Sequence, residues 1–200
     1  MAVSVFKVAS LCLAAVAISA CSKKENYSGT DTTAASSTTA ADTSAMAAST
    51  SGNWSDANIF AILDEANAAD SSAGSIAATK GTNSVVRDFG KRMMRDHHQL
   101  RAQGEALAKK LKITPAAPSD DPLASDVQKY TETLNSTAKG KDFDKAYIDG
   151  EVDVHKKVLD VATKAAGQTQ TTELKNLIQK AAPVIQGHLD KAESIQKTMK

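Results

Sequence analysis

The stretch from Phe89 to Leu111, FGKRMMRDHHQLRAQGEALAKKL, decides how the chain folds. With Val86 upstream, the set Phe89, Met93, His97, Leu100, Gly104, Leu107 and Leu111 recurs in steps of three and four. That is the period of one helix face. Arg87, Lys91, Arg92, Arg95, Arg101 and Lys109 lie mostly off this face. The stretch is therefore an amphipathic helix, opened by Asn83 or Ser84 and carrying a histidine in its apolar stripe. Asp96 and His98 flank the stripe and are expected in solvent.

The same period recurs on both sides. A first helix begins where Ser55 or Asp56 can cap the free N–H groups. Its stripe is Ile59, Leu63, Ala66, Asp70, Ala73 and Ala77, and Gly81 is expected to end it in a left-handed cap. A third long helix runs from about Asp142 to Ala166, with Gly167 expected at its end. It carries Ile148, Glu151 or Val152, His155, Val158 or Leu159, and Ala162 on one face. A fourth begins near Thr171 or Thr172, where Thr is expected to cap, and carries Leu174, Ala181, Ile185, His188, Ala192 and Ile195. Pro183 lies inside it, removing a backbone donor and favouring a kink. Between the second and third helices, Pro115 and Pro118 break the pattern. Asp121-Pro122 suits the start of a short helix through Leu123, Val127, Tyr130 and Leu134, closed by Gly140.

The fold class is thus all-α, a four-helix bundle over residues 54–200. Short links pair the helices as hairpins. The link between the pairs is long enough to run the length of a bundle, the ferritin-like crossover, with an extra short helix in it; up-down-up-down order is the other solution. Aromatic residues make up only 4% of the chain, which disfavours a strand-rich fold. A formal charge of +1 provides no field to attract nucleic acid.

The first fifty residues point to a location. Residues 1–20 have the form of a secretory signal, with Lys7 before an apolar run from Val8 to Ile18 that is too short to span a bilayer. Ile18-Ser19-Ala20-Cys21 resembles the bacterial lipobox, which implies lipidation of Cys21 and a membrane partner through that anchor. Ser22, following it, implies the outer membrane of a Gram-negative cell, on the periplasmic side. An ordinary signal with an incidental Cys is the alternative. Residues 21–53 are rich in Ser, Thr and Ala and bury too little apolar surface to fold, so they form a tether. The two cysteines are Cys12 and Cys21, leaving none for a disulfide or thiolate site in the bundle.

From Phe60 to Met199 the chain resembles the bacterial domain-of-unknown-function 4142 family, counted as ferritin-like. The residues that carry the resemblance are Asn67 and Asp70 with Gly74, the run Val86 to His97 with its Arg-Met-x-x-Asp-His ending, Phe143 and Tyr147, Val154-His155, and Pro183 with His188-Leu189. The resemblance implies the fold and leaves the chemistry open.

Asp70, His97, His155 and His188 each fall near the middle of a helix and on its apolar face. Midpoints of aligned helices share a layer, so these groups are expected to meet. Three imidazoles and a carboxylate suit Zn, Mn or Fe as divalent ions, with Glu151 as a further ligand one turn before His155. Equally, neutral histidines donate at one nitrogen and accept at the other, so a hydrogen-bonded layer with Asn67 and Tyr147 needs no metal. Met93 and Met94 are expected to pack rather than to ligate. A di-iron carboxylate site is disfavoured, because that geometry needs Glu-x-x-His on two helices and the chain has none. With no phosphate loop, nucleophile elbow or catalytic Cys either, the sequence favours a non-catalytic binding or envelope-stress role with an unidentified protein partner, the alternative being a metal-storing or metal-sensing bundle.

Overall fold

The computed structural model describes residues 52–199. The expected signal segment, Cys21 and the tether as far as residue 51 lie outside the described residues. Five helices follow in order: α1 (Asp56–Lys80), α2 (Ser84–Leu111), α3 (Ala124–Ser136), α4 (Lys141–Gln168) and α5 (Thr172–Thr198). Among the described residues there is no strand, and no helix is long and apolar enough to cross a membrane.

Local chemistry sets most of the boundaries. Ser55 and Asn58 form a capping box, Asn58 N–H donating to Ser55 Oγ at 3.2 Å and Ser55 N–H to Asn58 Oδ1 at 3.0 Å. Asn83 caps α2 by accepting from Val85 N–H at 2.9 Å. Asp121 Oδ1 accepts from Leu123 N–H at 2.8 Å and starts α3 beside Pro122. Three glycines and one threonine act differently from expectation. Gly81 has φ −57° and is not left-handed; a side chain there would meet Ala77 O at 2.7 Å, so crowding is the reason for glycine. Gly140 precedes α4 rather than ending α3, which stops at Ser136. Gly167 lies within α4, which continues to Gln168. Thr171 makes no cap; its hydroxyl turns away to donate to Asp56 Oδ2. Pro183 is exposed, with α5 continuous on either side of it.

Two aspartates join the ends of the bundle. Asp144, near the start of α4, accepts from Thr82 N–H and Asn83 N–H, each at 2.8 Å, at the α1–α2 turn. Asp56, at the start of α1, accepts from Thr169 Oγ1 at 2.6 Å at the α4–α5 turn. The α2–α4 connection is tied at both ends of α1: Ala116 N–H donates to Ala57 O at 3.1 Å, and Lys80 Nζ donates to Leu134 O at 2.7 Å.

α1 and α2 touch backbone to backbone. A Cβ on Gly74 would lie 2.5 Å from Gly90 O, and one on Gly90 would lie 2.7 Å from Gly74 O. The interior then divides into two apolar clusters. One holds Ile59, Phe60, Ala66, Val158, Leu174 and Ile178. The other holds Ala77, Phe89, Met93, Phe143, Ile148 and Ala192. Along the four long helices, Asp70, His97, Glu151 with His155, and His188 fall where one cluster gives way to the other.

The glycine contact sets a stability test. Gly90→Ala gains helix propensity of about 1 kcal/mol but forces two backbones apart, an overpacking cost that outweighs it. With an overpacking cost of roughly 1–3 kcal/mol set against that gain, a net loss of up to about 2 kcal/mol is expected. It is read as a lower urea midpoint at unchanged m-value.

Candidate metal centre

Each of the four long helices contributes to one buried layer. His97 comes from α2, His155 and Glu151 from α4, His188 from α5 and Asp70 from α1. All five are buried, none more than 1% exposed. The imidazole ring centroids are 5.4 Å apart for His97 and His155, 5.1 Å for His97 and His188, and 5.6 Å for His155 and His188. One ring nitrogen from each lies within 4.8 Å of the other two. The layer expected from helix midpoints is therefore assembled as expected.

The hydrogen bonds decide which nitrogens are available. Asn67 Nδ2 donates to Leu63 O at 2.6 Å, which turns Asn67 Oδ1 toward His97 Nδ1 at 2.9 Å. His155 Nδ1 lies 2.9 Å from the carbonyl oxygen of Glu151. His188 Nε2 lies 3.1 Å from Asp96 Oδ2. All three oxygens can only accept, so each ring nitrogen facing one carries the proton and donates. The other nitrogens, His97 Nε2, His155 Nε2 and His188 Nδ1, are buried without a partner among the described residues. Each therefore offers a lone pair. Leaving buried polar atoms unpaired costs about 1–3 kcal/mol apiece.

Electrostatics keeps the rings neutral. Burial, with His155 and His188 close by, holds His97 well below the usual histidine range. Burial and His188 lower His155 to about 4, against the raising effect of the Glu151 carbonyl. Burial also lowers His188, with Asp96 opposing. Neutral imidazole is the form that ligates metal.

Beside the triad lies an acidic pair. Asp70 Oδ2 is 3.6 Å from His97 Nδ1, and Glu151 Oε2 is 3.4 Å from His155 Nδ1. Burial raises Asp70 to about 7. Burial, together with the neighbouring Asp70, raises Glu151 well above the usual carboxylate range. Tyr130 on α3 sets its hydroxyl 3.0 Å from Glu151 Oε1. Asp70, Glu151 and His155 also bring one donor atom each within 4.8 Å of one another. Near neutral pH this pair is available in its protonated form, and a nearby dication would favour its ionisation.

Two contributors were not evident beforehand. Asp96 is no solvent bystander. Burial works to raise its carboxyl, but hydrogen bonds from His188 and Arg92 outweigh that and lower it, so it stays an anion that fixes the His188 tautomer. Its place in Arg-Met-x-x-Asp-His, directly before His97, was a usable signal: adjacent residues on a helix point about 100° apart and can serve different neighbours. Tyr130 gave no such signal. It enters because Gly150 leaves room for it; a Cβ there would sit 2.0 Å from Tyr130 Cε2. His98 is exposed, as expected. Met93 is packed in the core, and Met94 is 39% exposed.

A family described as "Domain of unknown function (DUF4142)" matches residues 38–195. The chain belongs to this family. Among solved structures, "CopM in the Cu(II)-bound form" is similar, with a TM-score of 0.61 and 11% identity. The match covers 74% of this chain and 99% of that one. At that identity it shows a shared helical-bundle fold. No curated protein sequence matches.

The buried acid pair sets a pH test on metal-free protein. The Asp70 pKa is raised on folding, so its contribution to stability is fully present below its unfolded value, near 3.9, and is lost as pH rises through about 7. Asn cannot ionise. Asp70→Asn is therefore expected to gain on the wild type between pH 5 and pH 8.5, by roughly 2–3 kcal/mol. Urea unfolding at the two pH values checks it; an equal difference at both would contradict the assigned shift.

Proposed function

We propose that this chain binds one late first-row divalent ion, Cu(II) or Zn(II), on His97, His155 and His188, in a role of storage, buffering or sensing rather than turnover. The observation that carries it is the orientation of the three rings. Each has one N–H committed to an oxygen, Asn67 Oδ1, the Glu151 carbonyl or Asp96 Oδ2, and its other nitrogen buried and unpaired. That is the division of labour metal-ligating histidines use, the outer oxygen fixing the tautomer and raising basicity. A ligand set with metal–nitrogen bonds of about 2.0–2.1 Å needs nitrogens roughly 3.3–3.5 Å apart, within reach of small ring movements.

Nitrogen donors favour copper and zinc over manganese and iron on the Irving–Williams order. The fold shared with a Cu(II)-bound protein supports copper, and Zn(II) fits the three-nitrogen set with a fourth position left for a further ligand. When bound, the ion would supply a Lewis-acid charge. Asp70 and Glu151 stand beside the rings as proton-bearing groups able to take up that charge by ionising. Absence of Glu-x-x-His from the sequence supports binding over oxygen chemistry.

We further read the Lys112–Gly140 connection as a ferritin-like crossover. Its anchoring at opposite ends of α1, and the placing of Asp144 against the start of α2, support that reading. We place the protein on the periplasmic side of the envelope, anchored by lipid at Cys21, on the strength of Ile18-Ser19-Ala20-Cys21 alone.

Adding Cu(II) or Zn(II) to the metal-free chain is expected to raise its melting temperature. At a hundredfold excess over Kd, stabilisation is about 2.7 kcal/mol. The His97→Ala, His155→Ala, His188→Ala triple variant should lose the shift, as should the milder single variant His155→Gln. Bound Cu(II) should show nitrogen couplings in its electron paramagnetic resonance spectrum. A wild type that melts at the same temperature with and without either ion sinks the proposal. For the anchor, mass spectrometry of the mature chain should find Cys21 as a lipid-modified first residue; an unmodified Cys21 would overturn it.

A further inference from the structure

A second feature lies on one side of the triad. A cavity of about 140 Å³ runs between the helices, walled by Phe60, Leu63, Leu100, Val158, Ile178 and Ile185. On α1 its lining extends from Phe60 to Asp70, ten residues, or about 15 Å of helix. Asp70, Asn67 and His97 form its limit at the polar layer. Its other border carries Asp64 and Arg101, whose carboxylate and guanidinium pair at 2.7 Å.

Two observations bear on what this space can hold. Asp70 is 1% exposed, and neither of its carboxyl oxygens has a hydrogen-bond partner among the described residues, yet it lines the cavity. Gly104 also lines it, in the interior of α2, where glycine costs about 1 kcal/mol relative to alanine. At Gly74 and Gly90 a close backbone explains the glycine. At Gly104 nothing lies within 4 Å of where a Cβ would be, so no close approach demands it. What glycine does there is leave the wall of the cavity low.

The geometry points to a binding site for a small neutral molecule, an aromatic ring or short hydrocarbon bearing one hydroxyl, with its apolar body along the walls and its hydroxyl on Asp70. Size supports this: an engineered apolar protein cavity of about 150 Å³ holds benzene. Charge supports it too. Arg101 is engaged by Asp64 and Glu105, so among the described residues no free cation lines the cavity to hold an anionic head. The site does not rest on the metal reading: its walls are the apolar side chains beside the triad, and its test is made on metal-free protein.

The test uses the full chain stripped of metal, with phenol as probe and benzene as control, followed by methyl NMR. Phenol should shift the methyl signals of Leu63, Leu100, Ile178 and Ile185 saturably. Benzene should bind about fivefold more weakly, the worth of one hydrogen bond. Gly104→Leu should keep the fold, because leucine is the better helix former, and weaken phenol at least about tenfold by filling the space. Ala181→Leu, on the opposite wall, should do the same and decides the matter should the first variant fold poorly. No saturable shift in the wild type overturns the proposal, as does unchanged affinity in both folded variants. Equal affinities for phenol and benzene would overturn the role given to Asp70. Loss of the metal-induced stabilisation described above would leave these outcomes unaffected, so the two readings fail separately.

Discussion

Three imidazoles and two carboxyl groups sit in one buried layer, and the bundle is arranged around the cost of putting them there. A buried polar atom without a partner loses about 1–3 kcal/mol. The fold meets that cost in part. Asn67, the Glu151 carbonyl, Asp96 and Tyr130 each satisfy one atom of the layer. What is left over in the layer is one nitrogen of each ring, both oxygens of Asp70 and Glu151 Oε2. The layer also cuts the hydrophobic core into two clusters, so each half of the bundle is an apolar plug on one side of the site.

Glycines set the distances on which that layer depends. Gly74 and Gly90 let α1 and α2 meet at the backbone one turn from Asp70 and two turns from His97. Gly150 admits the Tyr130 ring and so brings α3 to Glu151. In each case a methyl group would strike backbone or a ring held in place, and the helix carrying a site residue would have to move. Interiors packed to crystal-like density pass such shifts on rather than absorb them. Gly104, like Gly167 and Gly187, has nothing opposite it, and of these three it is the one that borders the cavity.

At the two ends, Asp144 and Asp56 act as clamps between the hairpins. Each accepts hydrogen bonds from a turn that joins the other pair of helices. This holds α1–α2 and α4–α5 in one vertical register, and a shared register is what places residues from four helices at a common height.

Much of this was legible in the chain itself. Steps of three and four put Asp70, His97, His155 and His188 on buried faces, because a helix repeats every 3.6 residues whatever it packs against. Equal helix lengths put them at one level. The caps at Ser55 and Asn83 and the Asp121 turn before α3 were legible for the same reason, being local hydrogen bonds. Glycine was misread at Gly81, Gly140 and Gly167, since its residue type does not say whether it serves a turn, a neighbour or neither. Periodicity could not show that Asp96 reaches across to His188, that Tyr130 descends on Glu151, or which nitrogen of each ring stays free. Those depend on how helices are rotated and spaced, and contacts between residues distant in sequence set both. The sequence by itself determined which groups are buried and roughly at what height. The tertiary structure decided which partners each one has, and so which atoms are left to bind.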